Sequence, residues 1–105
     1  MIEKVFQYNL GNDKVVEKLI MEDDVNVIHM IFNKGEGLPE HHANAYVQMI
    51  VMRGQLSIQL DDQENHKYAK GTILQIPFKT KMNVRNLDDE TLELMVVKVF
   101  TAECK

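Results

Sequence analysis

The sequence contains one cysteine, no tryptophan and only two prolines among 105 residues. Because Cys104 has no partner within the chain, an internal disulfide is excluded, and we expect a cytoplasmic protein. No apolar run is long enough to span a bilayer. The N-terminal stretch MIEKVFQYNL also lacks the apolar core and cleavage site of a secretory signal.

An excess of positive charge is also missing. Twelve lysines and arginines are scattered along the chain against sixteen acidic residues, which gives a net charge of −4. Proteins that bind nucleic acid need a basic face to displace counterions from phosphates. The composition therefore predicts neither a nucleic-acid partner nor an anionic membrane surface.

What the sequence does contain is a series of short strand-like segments between polar turns. The stretch QLSIQL alternates strictly, and VNVIHMIF, TILQIP, KMNVRN and TLELMVVKVF are rich in β-branched or apolar residues. This pattern predicts one all-β domain over residues 1–105, a sandwich or barrel of about eight to ten strands. We assign residues 1–14 to an N-terminal strand or arm, 15–99 to the barrel and 100–105 to a tail.

The segment Asp13–Asp23 is ambiguous. Its apolar residues fit a helical spacing with Asp13 as N-cap, but they also alternate as in a strand. We predict a strand, because the rest of the chain is β.

Several segments are apolar on both faces. In VNVIHMIF, Val25, Val27 and Ile31 lie on one side, and Ile28, Met30 and Phe32 lie on the other. If one face lines the interior, the other must also be covered, and a second subunit is a frequent cover. We therefore expect a homodimer. If the Val25–Val27–Ile31 face lies outside, it forms the interface; if the Ile28–Met30–Phe32 face lies outside instead, Ile31 belongs to the barrel interior.

Two spaced motifs carry a family resemblance. In the first, Gly35 is followed after five residues by His41 and ends at Gly54; in the second, Gly71 is followed after five residues by Pro77, and Asn86 comes later. These resemble the two motifs of the cupin family over about Val15–Val99. The resemblance implies a small cupin barrel, which is a double-stranded β-helix or jelly roll.

The resemblance also implies where a cupin would hold a metal. The family uses two histidines and a glutamate from the first motif and a histidine from the second. Here the corresponding positions are His41, Ala43, Gln48 and Met82, with Gln48 chosen by its spacing to Gly54. Alanine cannot bind a metal, and an amide oxygen or a thioether suits these ions poorly. Lys79 also replaces the glycine that is usual in the second motif.

No other histidine supplies the missing ligands. His42 is adjacent to His41 and should point to the opposite side of the strand. His29 and His66 lie in other segments and complete no ligand set.

We therefore predict a metal-free cupin that binds or senses a small molecule, with no cofactor. The predicted ligand pocket contains His41, Ala43, Gln48 and Met82, and Gln48 should point inward with His41. Tyr46 would contact the ligand at the mouth. The alternative is a metal-dependent dioxygenase or isomerase in which His41 and Gln48 hold a divalent transition metal.

Overall fold

A computed structural model describes all 105 residues, and the chain is almost entirely β-structure. The nine strands are β1 (Val15–Met21), β2 (Val25–Phe32), β3 (His41–His42), β4 (Tyr46–Arg53), β5 (Gln55–Leu60), β6 (His66–Ala69), β7 (Ile73–Ile76), β8 (Lys81–Arg85) and β9 (Leu92–Val99). One short 3₁₀ helix, Ala102–Cys104, lies in the tail. The predicted all-β class is confirmed, and the strand number lies within the predicted range.

The strands form two sheets that pack face to face. The five-stranded sheet has the order β1-β2-β9-β4-β7, and the four-stranded sheet has the order β3-β8-β5-β6. All strand pairs are antiparallel. The core of fifteen apolar side chains lies between the sheets. The jelly-roll barrel expected from the sequence is confirmed.

The ambiguous segment is a strand, as predicted. β1 pairs with β2, with Val15 opposite Ile31 and Lys18 opposite Ile28. The register shifts between Lys18 and Ile20, which marks a β-bulge. The strand is favoured over a helix because β2 offers it a row of backbone partners.

A tight turn joins β4 to β5 at Gly54. Its φ is +73°, and a Cβ at this position would lie 2.4 Å from the carbonyl oxygen of Thr91. Only glycine fits, because both the left-handed backbone and the close approach exclude a side chain. The motif glycine thus fixes how β4 turns into the second sheet.

The direction of β2 agrees with the sequence prediction. Ile28, Met30 and Phe32 belong to the interior core, so Val25, Val27 and Ile31 lie on the outer face. Ile31, however, is fully buried. The prediction that Ile31 is available to a second subunit is therefore wrong.

The cover over this end of the outer face is the chain's own N-terminal arm, residues 1–14, which contains no strand. The Tyr8 ring lies 4.5 Å from the ring of His29. Further along, Asn33 donates a hydrogen bond to the carbonyl oxygen of Asn12. Ile31 lies in sequence between these two contacts, at His29 in β2 and at Asn33 just after it, so we infer that the arm contributes to its burial.

A buried charged cluster lies under the arm. His29 is fully buried, and its Nδ1 and Nε2 lie 2.8 Å from Glu17 Oε1 and 2.5 Å from Glu93 Oε2. Each ring nitrogen thus shares a hydrogen bond with a carboxylate oxygen. Arg53 donates to Glu93 and also to Asn12 Oδ1 at 2.7 Å. The cluster joins side chains of β1, β2, β4 and β9, and Arg53 ties the arm to it.

No helix in the structure is both long and apolar enough to cross a membrane.

The arm's attachment should depend on pH through Glu17. The backbone N–H of Asn9 and the His29 ring hold the pKa of Glu17 below its ordinary value of 4.5. A pKa lowered by folding means that the unfolded chain binds the proton more tightly, so this stabilisation is present above pH 4.5 and lost as the pH falls through the lowered pKa.

We expect Glu17→Gln to lower the urea midpoint near neutral pH and to flatten its decline between pH 5.5 and pH 3, relative to wild type. Glu64→Gln, which removes an exposed carboxylate without an ion pair, is the control and should follow wild type. Equal pH profiles for Glu17→Gln and wild type would contradict this account of the cluster.

Candidate functional site

A cavity of about 280 Å³ opens between the two sheets at one end of the barrel. Most of its wall is apolar, and its polar members are one histidine and two lysines. The lining residues are Val16, Lys18, Ile28, Met30, Leu38, Pro39, His41, Val47, Met49, Met82, Val96 and Lys98. An apolar concavity with a few polar groups is the usual form of a small-molecule site.

Strand alternation places these side chains. On the five-stranded sheet, Ile28, Val96 and Met49 occupy neighbouring positions of β2, β9 and β4, which form one row across the inner face. Each has its sequence neighbours on the other side of the sheet, because side chains alternate along a strand. The result is a continuous apolar wall.

His41 faces this wall from the four-stranded sheet. It is half-buried on β3 and pairs with Met82 of β8. Its Nδ1 lies 2.8 Å from the carbonyl oxygen of Pro39, so Nδ1 carries the proton and donates. This bond fixes the ring and leaves Nε2 as the free nitrogen. The adjacent His42 is exposed, in agreement with strand alternation.

Met82 and Ala43 both lie close to His41. Met82 is 3% exposed and lines the cavity, and Ala43 is also 3% exposed but packs into the core beside it. The backbone of Ala43 is held on both sides, since its N–H donates to the Thr80 carbonyl and its own carbonyl accepts from the Lys79 N–H. His41, Ala43 and Met82 are thus brought together.

Gln48 does not join them. It is exposed, and its cross-strand neighbours are Val97 and Gln75 on the outer face. Met49 and Val51 are each 1% exposed in the core, so Val47 must share their side of β4 and Gln48 must face away. The predicted inward direction of Gln48 is wrong. The first-motif spacing admits either residue, and the structure places Val47 in the cavity wall.

Tyr46 lies at a different surface. It is 36% exposed, and its ring is 6.2 Å from that of Phe78. With Gln48 it borders a separate shallow groove that also includes Gln75, Ile76, Pro77, Val99 and Thr101. Tyr46 does not line the cavity that contains His41.

Among the polar residues of the cavity, Lys18 and Lys98 were missed from the sequence. Lys98 follows Leu92, Leu94 and Val96 at every second position of β9, so the alternation itself gave the signal. Burial lowers the pKa of the Lys98 ammonium, and the charge of Lys18 lowers it further. Lys18 gave a weaker signal, because its strand was ambiguous.

The side chains at the motif positions do not fit a transition metal. With Val47 in place of Gln48, the set becomes His41, Ala43, Val47 and Met82, which offers one imidazole and one thioether. No group of three or more His, Cys, Asp or Glu side chains is arranged to hold a metal ion. Tight sites use at least three strong ligands.

Comparisons with known proteins agree on the fold. The chain is 40% identical over 99 residues to an uncharacterised protein of Methanocaldococcus jannaschii, covering 93% of this chain and 85% of that protein. The crystal structure of an RmlC-like cupin family protein with a double-stranded β-helix fold from the same organism superposes with a TM-score of 0.91 at 40% identity, over 94% of this chain and 92% of that one.

More distant structures share the fold alone. A cupin superfamily protein from Desulfitobacterium hafniense has a TM-score of 0.76 at 16% identity, over 90% of this chain and 84% of that one. No protein-family model matches the sequence.

The site assignment can be tested by building a metal site. We expect the triple variant Ala43→His, Val47→Glu, Met82→His to bind Ni²⁺ or Zn²⁺ near one equivalent, because with His41 it restores four ligands around one point. The wild-type protein should bind no stoichiometric metal when expressed with Fe, Mn, Ni, Cu and Zn.

The matched control is the triple variant Ala43→His, Gln48→Glu, Met82→His. Its carboxylate lies on the outer face, so this variant should bind the metal at least about tenfold more weakly. Metal content after dialysis decides between them, and circular dichroism checks the fold. Tighter binding by the Gln48→Glu version would contradict the assignment of Val47 to the site.

Proposed function

The chain belongs to the RmlC-like cupin family, and from this membership and its apolar cavity we propose that it is a small-molecule-binding or sensing protein that uses no metal. The binding site is the cavity lined by His41, Val47 and Met82. Ala43 leaves space in the core beside His41. In this proposal the ligand binds in the space between the two sheets of the barrel.

One observation carries the proposal. Apart from His41, the positions at which the family resemblance implies metal ligands hold alanine, valine and methionine; Val47 and Met82 line an accessible cavity, and Ala43 packs in the core beside it. Burying an apolar surface of a ligand there is favourable by about 25 cal/mol per Å². Methionine adapts its shape to what it contacts, and Met30, Met49 and Met82 all line the wall. The site is suited to hold an apolar group.

His41 provides polar recognition inside this wall. Because Nδ1 is committed to Pro39, Nε2 is available to accept a hydrogen bond from a ligand hydroxyl, or to donate one when the ring is protonated. The ring is thereby a fixed orienting group.

The alternative function is a metal-dependent dioxygenase or isomerase. It would need a metal held by His41 with ligands from outside the motif, since Gln48 faces away. The side chains around His41 therefore favour the binding of a small molecule over metal-dependent catalysis.

We also propose a homodimer through the part of the outer face that the arm leaves open. Val25, Val27, Val97 and Val99 form a half-buried apolar patch on β2 and β9, and Ile73 on β7 is 62% exposed. A second copy would remove this area from water.

We place the protein in the cytoplasm, because Cys104 is free and no disulfide supports the fold. Nucleic acid is not a proposed partner, since the net charge is −4.

A bulky side chain in place of Val16 should block ligand entry, because Val16 is 44% exposed and lines the cavity mouth. We expect hexan-1-ol to bind wild type with a millimolar dissociation constant in ¹H–¹⁵N NMR titrations, and Val16→Trp to weaken binding at least about fivefold by filling the mouth. Met21→Trp, at a 52% exposed position of the same strand outside the cavity, is the control. Equal affinities in both variants would refute the proposed location.

The dimer should depend on the valine patch. We expect Val97→Lys to raise the dimer dissociation constant at least about tenfold, because it buries a charge in the interface. Leu87→Lys, at a 48% exposed position between β8 and β9, is the control and should leave the dimer intact. Light scattering at micromolar concentration reports the mass. A monomeric wild-type protein at this concentration would refute the dimer proposal.

A further inference from the structure

The cavity has a positively charged mouth. Lys18 on β1 sits beside Ile28, and Lys98 on β9 sits beside Val47, so both lysines lie on the inner side of the five-stranded sheet. Both line the cavity together with His41. In a protein of net charge −4, this is a local concentration of positive charge against an apolar wall.

Neither lysine is neutralised by the protein. None of the ion pairs in the structure includes Lys18 or Lys98. Lys98 Nζ donates one hydrogen bond, to Asn44 Oδ1 at 3.2 Å, and a lysine ammonium has three donors.

The positive charges of the two lysines also repel each other. Burial disfavours the charged form of Lys98, and the neighbouring charge of Lys18 adds to this, so its pKa is lowered. An anion bound between the two ammonium groups would offset both the burial of the Lys98 charge and the repulsion from Lys18.

We propose that the ligand of this cavity is a small carboxylate with an apolar tail, whose carboxylate pairs with Lys98 and Lys18 at the mouth while the tail lies against Met30, Met49 and Met82. This inference rests on the proposed function and names the ligand class of that same site. Asn44 accepts one hydrogen bond from Lys98, which leaves its other donors for the carboxylate, and Lys18 is exposed at the mouth.

A carboxylate fits better than a phosphate. Phosphate sites in proteins typically use arginine forks, glycine-rich loops or helix N-termini. Both arginines are committed elsewhere, Arg53 to Glu93 and Asn12, and Arg85 to the carbonyl of Gly35. The cavity is lined by strands and contains no arginine or glycine.

The size of the cavity suits a short tail. A cavity of about 280 Å³ has room for a short alkyl chain. Hexanoate is therefore a suitable probe. Acetate is too short to gain from the apolar wall.

The experiment compares five probes by calorimetric titration of the wild-type protein: hexanoate, hexyl phosphate, hexan-1-ol, hexylammonium and acetate. We expect hexanoate to bind at least about tenfold more tightly than hexan-1-ol and more tightly than hexyl phosphate, and hexylammonium and acetate to show no binding. Hexanoate affinity should fall as salt rises from 20 to 300 mM, because the lysine charges are screened, whereas hexan-1-ol affinity should not.

Lys98→Met and Lys18→Met test the head-group contacts with an unbranched side chain one atom shorter than lysine. Each should weaken hexanoate binding, Lys98→Met by about tenfold or more, and should reduce the preference for hexanoate over hexan-1-ol. Lys70→Met, which removes an exposed lysine outside the cavity, is the control and should behave as wild type. Thermal melting verifies that each variant is folded.

The outcomes separate the two proposals. If hexan-1-ol binds as tightly as hexanoate and Lys98→Met changes nothing, the carboxylate inference is overturned and the apolar binding site stands. If no probe binds, both are overturned. Hexyl phosphate binding more tightly than hexanoate would overturn the choice of carboxylate, and hexanoate affinity lost equally in Lys70→Met would overturn the role of the mouth lysines.

Discussion

The alternation of side chains along β4 is the constraint on which the site depends. Met49 and Val51 are buried in the core, so every second residue of this strand must face the interior. Val47 is therefore in the cavity wall and Gln48 is on the outer surface. The same rule on β9 carries Lys98 to the cavity mouth after three buried apolar residues. A shift of one residue in either strand would exchange a binding site for a polar surface.

The opposite face of the same sheet follows from the same rule. Alternation on β2 sends Ile28 and Met30 inward and His29 outward, where the buried ring must be covered and hydrogen-bonded. The N-terminal arm supplies the cover through Tyr8, and Glu17 and Glu93 supply the hydrogen-bond partners. Arg53 then joins Glu93 to Asn12 of the arm. These contacts fix the position of the arm over the His29 end of the outer face.

The fold could be predicted from the sequence because its signals are local. Short apolar segments separated by polar turns indicate an all-β domain. The barrel itself was implied by the resemblance of the spacing of Gly54, Gly71 and Pro77 to the cupin motifs. β1 could be recognised as a strand only because the rest of the chain is β. The direction of β2 was also predicted, with Ile28, Met30 and Phe32 facing the interior.

The site was predictable in part. His41, Ala43 and Met82 come together as the motif spacing indicates. Gln48 was misplaced because two spacings fit the motif, and only the burial of Met49 and Val51 distinguishes them. The arm's cover over Ile31 depends on contacts between residues far apart in sequence, such as Arg53 with Asn12. Such pairings leave no periodic pattern, so the burial of Ile31 within its own chain could not be predicted from the sequence.

The methionines offer the most direct test that a ligand binds inside an apolar barrel. Met30, Met49 and Met82 line the cavity, whereas Met1, Met21, Met52 and Met95 lie outside it. With ¹³C-labelled methionine methyl groups, titration with hexanoate should shift the signals of the first three and leave the other four in place. Shifts confined to Met52 and Met95, or none at all, would contradict the account.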